Sequence, residues 1–208
     1  MNNSPFNQER FYKSACLFEA ALIVVAIVLG WLSDIMPFAT LHYSESAMIY
    51  GILGTIPLFM LFLLLEQLQL ESVVTIRRFL LETLGPALQR SDWADLFILA
   101  AIAGVSEEVL FRGVIQPWME ASWGMTAGLI GSNIIFGLVH SITPLYTVLA
   151  TLVGIYLGLA LDYGGDRNLL TPILIHWLYD FLAFLALMKS YRTILAEQNS
   201  TNEPPSLS

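Results

Sequence analysis

The sequence predicts an all-α fold, a polytopic bundle of about six transmembrane helices with one additional amphipathic helix at the membrane interface. Three observations predict this class. Hydrophobic residues make up 56% of the 208 residues, and the mean hydropathy is +0.68. Charged residues make up only 12%, about half of the roughly 25% found in soluble globular domains. Several apolar stretches also reach the roughly 20 residues that a helix needs to cross a bilayer.

The composition excludes two other classes of protein. Lys and Arg number 9 against 17 Asp and Glu, and the formal net charge of −8 leaves no basic surface for nucleic acid. We therefore expect no nucleic-acid partner. A disulfide-bonded secreted domain is excluded because the chain has a single cysteine, Cys16.

The first two spans are predicted at 14–33 and 46–65. The only charged residue of the first span is Glu19, and the second span has none. The segment 66–95 is charged, but apolar residues recur in it near helical spacing, which predicts an amphipathic helix that the Gly-Pro pair at 85–86 ends. The apolar positions are Val73, Ile76, Leu80 and Leu84. A soluble connecting helix is the alternative for this segment.

The other four spans lie in the second half of the chain. Span three, at 96–118, is unusual because it carries two acids and one base at membrane depth. From 121 to 161 there is no Asp, Glu, Lys or Arg, and the Ser-Ile-Thr-Pro sequence at 141–144 divides this length into spans four and five. Span six, at 168–188, carries a single acid, Asp180.

The distribution of Lys and Arg predicts the orientation. With the N-terminus in the cytoplasm, seven of the basic residues outside the spans lie inside and Arg167 alone lies outside, which is the positive-inside pattern. Both termini are therefore expected in the cytoplasm. The plasma membrane is the expected location, with an internal membrane as the alternative. We expect one transmembrane domain at 1–198, with a motif-bearing core at 91–188, and a disordered polar tail at 199–208.

Ionisable residues inside a membrane are costly and therefore indicate a functional site. Glu108 and Arg112 are four residues apart on one helix face, with the acid nearer the N-terminus, so we expect a structural ion pair. Glu107 is rotated about 100° from Glu108 and shares that arginine less easily. Glu107 is therefore the candidate general base.

Three further side chains are expected to converge with Glu107 on one buried aqueous site, because each needs a polar partner. They are His140 at the end of span four, and His176 and Asp180 on one face of span six. Glu107 with His140 can deprotonate a water that attacks a carbonyl, and His176 can donate to the resulting oxyanion. Asp180 can orient His176, or can donate a hydrogen bond if it is protonated. Since no Ser or Cys has a recognisable nucleophile setting, direct attack by water is favoured.

Two histidines with carboxylates are also a set of zinc ligands. The H-E-x-x-H arrangement is absent, however, and the ligands would come from three helices. We therefore expect neither a metal nor another cofactor, and a zinc-dependent intramembrane protease stays an alternative.

Three motifs carry a resemblance to a known family. The motifs are Glu107-Glu108-Val-Leu-Phe-Arg112 for E-E-x-x-x-R, Phe136-Gly-Leu-Val-His140 for F-x-x-x-H, and His176-Trp-Leu-Tyr-Asp180 for H-x-x-x-Asn/Asp. In this order they resemble the CPBP family of intramembrane, metal-independent glutamic endopeptidases. That family includes type II CAAX prenyl endopeptidases and bacteriocin-processing or immunity proteins.

The resemblance implies specific roles. Glu107 and His140 would activate water, and His176 and Asp180 would form the oxyanion site. The partners would be the lipid bilayer and a membrane-associated protein or peptide substrate. In the eukaryotic prenyl proteases Asn stands at the position of Asp180, and an ionised Asp would repel an oxyanion, so it would instead orient His176. Those enzymes also have eight spans rather than six, which puts a prenylated substrate in question.

Two other functions stay open. One is a membrane immunity or binding protein with the same fold that does not depend on cleavage. The other is a proton-coupled transporter, since buried Glu and His also relay protons. The sequence shows no internal repeat of the kind that transporters have.

Overall fold

A computed structural model describes residues 5–202, with side chains for residues 8–200. Every regular element within this range is helical, which confirms the all-α class. The helices are α1 (Pro5–Ser33), α2 (Glu45–Gln67), α3 (Glu71–Leu88), α4 (Trp93–Leu110), α5 (Gln116–Trp123), α6 (Met125–Val139), α7 (Pro144–Ala160) and α8 (Leu170–Asn202). A π-helical turn, Phe111–Ile115, joins α4 to α5 without a break.

Among the described residues, three helices are long and apolar enough to cross a membrane, namely α1, α2 and α8. They correspond to predicted spans one, two and six. The shorter apolar helices α6 and α7 correspond to spans four and five, and α4 with the π-helical turn and α5 corresponds to span three. The chain is therefore a helical membrane bundle, while six crossings and cytoplasmic termini stay predictions.

The predicted amphipathic helix is α3, and its inner face includes buried Val73 and Ile76. The expected end at the Gly-Pro pair is wrong, because α3 continues to Leu88. Tertiary contacts hold this last turn: the ring of Tyr191 packs where a Gly85 side chain would be, and the Gln8 amide donates to the Pro86 carbonyl at 2.9 Å. Pro86 has no N–H, so α3 lacks the one hydrogen bond that this position would donate to the carbonyl four residues earlier.

The last helix, α8, extends into the range predicted as a polar tail and ends at Asn202. Residues 203–208 of that predicted tail lie outside the described residues. The domain limits therefore stay predictions.

The centre of the bundle is α8, which packs closely against α2 and α4 through glycines. A β-carbon at Gly51 would lie 2.6 Å from Leu174 Cβ, and one at Gly104 would lie 2.8 Å from the backbone nitrogen of Trp177. Small residues let helix backbones approach in this way. The close approach of α4 and α8 brings span three and span six, with their ionisable residues, side by side.

The helices α6 and α7 form a second close pair. A β-carbon at Gly154 would lie 2.6 Å from Asn133 Oδ1, and one at Gly158 would lie 3.0 Å from Asn133 Nδ2. The Gly-x-x-x-Gly sequence of α7 therefore serves packing inside the bundle. Helix α1 runs alongside α4, since Tyr12 donates to the Asp95 carbonyl at 3.0 Å and Ala26 shares a core with Val109.

The loop between α7 and α8 is fixed to α5 by one arginine. Arg167 Nη1 lies 2.6 Å from Glu120 Oε2, and Arg167 Nη2 lies 2.8 Å from Asp162 Oδ2. Hydrogen bonds to Asp162 and Glu120 raise the pKa of Arg167 above its ordinary value. The guanidinium therefore stays charged and ties the two elements together.

The contact at Gly104 predicts a stability effect. Gly104→Val places side-chain atoms against the Trp177 backbone, which cannot move aside as a flexible side chain could, so we expect a loss of about 1–3 kcal/mol. Thermal unfolding of the purified protein in detergent measures this loss.

Gly164→Ala is the matched control, because the nearest atom to its β-carbon would be 3.4 Å away, an ordinary contact. Equal melting temperatures for both variants and the wild type would contradict the close α4–α8 packing.

Candidate active site

A cavity of about 300 Å³ lies among α2, α3, α7 and α8. Its polar lining includes Glu107, His140, His176 and Asp180, and the Glu66–Arg77 ion pair also lines it. The rest of the lining is mainly apolar side chains of α2, α3, α7 and α8. The structure thus brings together all four residues that the sequence predicts as catalytic.

Behind this polar lining lies the buried pair formed by Glu108 and Arg112. Their side chains are both 0% exposed, and Arg112 Nη1 donates to Glu108 Oε1 at 2.9 Å. The other terminal nitrogen of Arg112 donates to Asn133 Oδ1 at 2.8 Å and to the Gly154 carbonyl at 2.7 Å. The guanidinium carbon also lies 4.8 Å from the Phe136 ring centroid. Arg112 therefore links α6 and α7 to the Glu108 carboxylate on α4.

Glu107 points to a different neighbour from Glu108, as the helical rotation predicts. Its Oε2 lies 3.4 Å from His140 Nε2. On the other side of the ring, His140 Nδ1 lies 2.8 Å from the Phe136 carbonyl. A carbonyl oxygen can only accept, so Nδ1 carries a proton and Nε2 of the neutral ring is an acceptor facing Glu107.

His176 lies between two carboxylates. Its Nδ1 is 2.8 Å from Glu108 Oε1, and its Nε2 is 3.4 Å from Asp180 Oδ2. The sequence predicts the contact with Asp180, which is one helical turn away. It does not predict the shorter contact with Glu108, which joins α4 to α8. Glu108 therefore holds both Arg112 and His176.

Several residues at this site have no predicted role, although two of them stand out in the sequence. Asn133 is the one Asn or Gln between 121 and 161. Glu19, on α1, is the one charged residue of its predicted span. Its Oε2 is buried without a hydrogen-bond partner among the described side chains, within electrostatic range of Glu107 and Asp180. The carbonyl of Gly154 has no signature in the sequence.

Within residues 8–200, no group of three or more His, Cys, Asp or Glu side chains is arranged to hold a metal ion. The cavity instead contains two separate acid–histidine contacts, Glu107 with His140 and Asp180 with His176. Chemistry without a metal stays a prediction.

The Arg112 contacts predict that this position requires arginine. Arg112→Lys keeps the charge but lacks the planar fork, so it cannot satisfy the acceptors of Glu108, Asn133 and Gly154 together. Because an incompletely paired charge stays buried, we expect a loss approaching about 3–5 kcal/mol, measured by thermal or denaturant unfolding in detergent.

Arg78→Lys is the control, because Arg78 is exposed on α3. If Arg112→Lys were as stable as Arg78→Lys, the network around Arg112 would not support the fold.

Residues 89–182 match the protein family described as type II CAAX prenyl endopeptidase Rce1-like. This range is just under half of the chain and contains all three motifs. No curated protein and no solved structure matches the chain.

The matched range begins between α3 and α4 and ends within α8, so it includes all three acid–histidine contacts of the site. The family is one of proteases, and the apolar helices agree with a membrane protein. The match of residues 89–182 to the model of Rce1-like type II CAAX prenyl endopeptidases confirms the resemblance that the three motifs predict.

Proposed function

We propose that the protein is an intramembrane endopeptidase of the glutamic type, which hydrolyses a peptide bond in a membrane-associated substrate without a metal. The observation that carries the proposal is the contact of Glu107 with His140 in the cavity. The adjacent acid, Glu108, is already engaged by Arg112 and His176. Glu107 is thus the acid of the pair that is available to act on water.

The first step is attack by water. Glu107 Oε2 and His140 Nε2 lie 3.4 Å apart, and both are acceptors when the carboxylate is ionised and the ring is neutral. A water that donates one hydrogen to each has its lone pairs free to face a carbonyl carbon. Its oxygen forms a bond to that carbon, the carbonyl π electrons move onto the carbonyl oxygen, and one water proton passes to Glu107.

The second step is collapse of the tetrahedral intermediate. The oxyanion re-forms the carbonyl, the carbon–nitrogen bond breaks, and the proton held by Glu107 passes to the leaving nitrogen. After the new carboxylic acid ionises, the products are a carboxylate and an amine, and one water is consumed.

His176 is the proposed stabiliser of the oxyanion. The contact with Glu108 fixes the orientation of its ring, because that acid is itself held by Arg112. In the imidazolium form Nε2–H is available to a developing negative charge beside the cavity. Asp180, 3.4 Å from Nε2, is proposed to orient the ring rather than to donate to the oxyanion.

The substrate class follows from the walls of the cavity. Leu61, Leu80, Leu149 and Leu187 are among the apolar side chains that line it. Such walls suit an apolar segment that arrives from the bilayer better than a polar soluble peptide.

The apolar spans and the distribution of Lys and Arg support a proposal for the topology. We propose a multi-pass protein with six crossings and cytoplasmic termini, located in the plasma membrane.

Loss of the general base tests the proposal. Glu107→Gln and His140→Ala are each expected to lower cleavage by about 10²–10⁴-fold, because each removes an acceptor from the water. Cleavage is measured as new peptide N-termini, by mass spectrometry of membranes that contain wild type or variant. Unchanged unfolding temperatures in detergent establish that the variants are folded.

Glu82→Gln makes the same change at an exposed residue of α3 and should cleave like wild type. Identical N-termini from wild type and Glu107→Gln would reject the catalytic proposal and favour a non-catalytic immunity or binding role. Activity lost to a chelator and restored by zinc would instead support the zinc-dependent alternative.

A further inference from the structure

The oxyanion site as described has one clear donor. His176 Nε2 faces the cavity, but its neighbour Asp180 accepts rather than donates when it is ionised. A second donor to the oxyanion would have to come from another residue that lines the cavity.

Tyr146, on the first turn of α7, is such a residue. It lines the cavity together with Glu107, His140 and Asp180. Its hydroxyl lies within electrostatic range of the Asp180 and Glu107 carboxylates. No side chain or backbone group among residues 8–200 makes a hydrogen bond with this hydroxyl. The proton of this hydroxyl is thus available to a molecule in the cavity.

The turn between α6 and α7 holds Tyr146 in place. The Tyr146 backbone N–H donates to Thr143 Oγ1 at 3.1 Å, which caps α7. The Thr147 hydroxyl donates to Ser141 Oγ at 2.7 Å across the same turn. His140 is the residue that ends α6 at the start of this turn. The turn therefore fixes Tyr146 relative to His140, and a donor fixed in advance is what stabilises a transition state.

We propose that the Tyr146 hydroxyl donates a hydrogen bond to the carbonyl oxygen of the scissile peptide bond as that oxygen becomes an oxyanion. Tyr146 thus acts beside His176 and supplies the neutral donor that Asp180 does not. The inference rests on the proposed function. The phenol keeps its proton throughout: the bond strengthens when the π electrons move onto the oxygen, and weakens when the carbonyl re-forms.

A second tyrosine of the cavity, Tyr179, fits this role less well. Its ring packs edge-on against Phe62, with centroids 6.5 Å apart. Tyr179 precedes Asp180 on α8, whereas Tyr146 is on the first turn of α7, across the α6–α7 turn that follows His140. Tyr146 is therefore the tyrosine that we assign to the oxyanion.

The test compares tyrosine-to-phenylalanine variants. Tyr146→Phe removes one oxygen that has no hydrogen-bond partner among residues 8–200, so the fold is expected to be unchanged. The substrate is an internally quenched peptide that reproduces the site most strongly cleaved by wild-type but not by Glu107→Gln membranes. We expect kcat to fall about 100-fold, as for loss of one oxyanion donor, with KM nearly constant. Tyr179→Phe should have a smaller effect.

Tyr156→Phe is the matched control, because the Tyr156 hydroxyl donates to the Gly54 carbonyl at 2.8 Å and does not line the cavity. Its kcat should stay at the wild-type value. The residual activity of Tyr146→Phe should keep the wild-type pH profile, since the phenol does not exchange its proton.

A wild-type kcat for Tyr146→Phe, with Glu107→Gln inactive, would overturn this inference and leave the proposed function intact. A pH profile of Tyr146→Phe that loses one limb would also overturn it, because Tyr146 would then transfer a proton. If wild type and Glu107→Gln gave the same N-termini, the proposed function would fail and this inference with it.

Discussion

A guanidinium in the middle of an apolar helical bundle needs acceptors for its charge, and the rest of this structure depends on how Arg112 obtains them. Its terminal nitrogens bind Glu108, Asn133 and the Gly154 carbonyl at 2.7–2.9 Å. These partners lie on α4, α6 and α7, and Glu108 also contacts His176 on α8. One buried charge therefore fixes the relative positions of four helices. Removing Glu108 would leave an uncompensated buried charge, which is far more costly than never having buried the pair.

The two adjacent acids have different surroundings because successive residues of a helix point about 100° apart. Glu108 faces the protein interior, where it is fully buried and engaged on one oxygen by both Arg112 and His176. Glu107 faces the cavity and His140. The interior acid holds the scaffold and the cavity acid is the one proposed to act on water. The same helix thus places one carboxylate in the protein interior and the next one beside the cavity.

Much of the local structure could be predicted from the sequence, because the i, i+4 rule and hydrophobic periodicity depend on neighbours along the chain. The Glu108–Arg112 pair, the Asp180–His176 contact and the inner face of α3 are of this kind. Contacts between helices could not be predicted in detail. Glu108 meets His176 only because Gly104 lets α4 and α8 approach, and nothing in the sequence pairs those two helices.

Contacts made by backbone atoms, and residues that matter because they line a cavity, are even harder to predict from a sequence. The Gly154 carbonyl that binds Arg112 could belong to any residue, and its accessibility depends on the close α6–α7 packing. Tyr146 looks like an ordinary aromatic residue at the start of an apolar helix until the cavity beside it is known. The last turn of α3, beyond the Gly-Pro pair, was unpredictable for the same reason. The Tyr191 ring and the Gln8 amide that contact it are distant in the sequence.

We propose that Glu107 activates water and forms no bond to the substrate. A single-turnover cleavage in water labelled with oxygen-18 distinguishes this role from direct attack by the carboxylate, with the label located by mass spectrometry. We expect one labelled oxygen in the new carboxylate of the product, and none in the peptide that contains Glu107. Label in the Glu107 carboxylate would instead show that this residue attacks the substrate and is itself released by water.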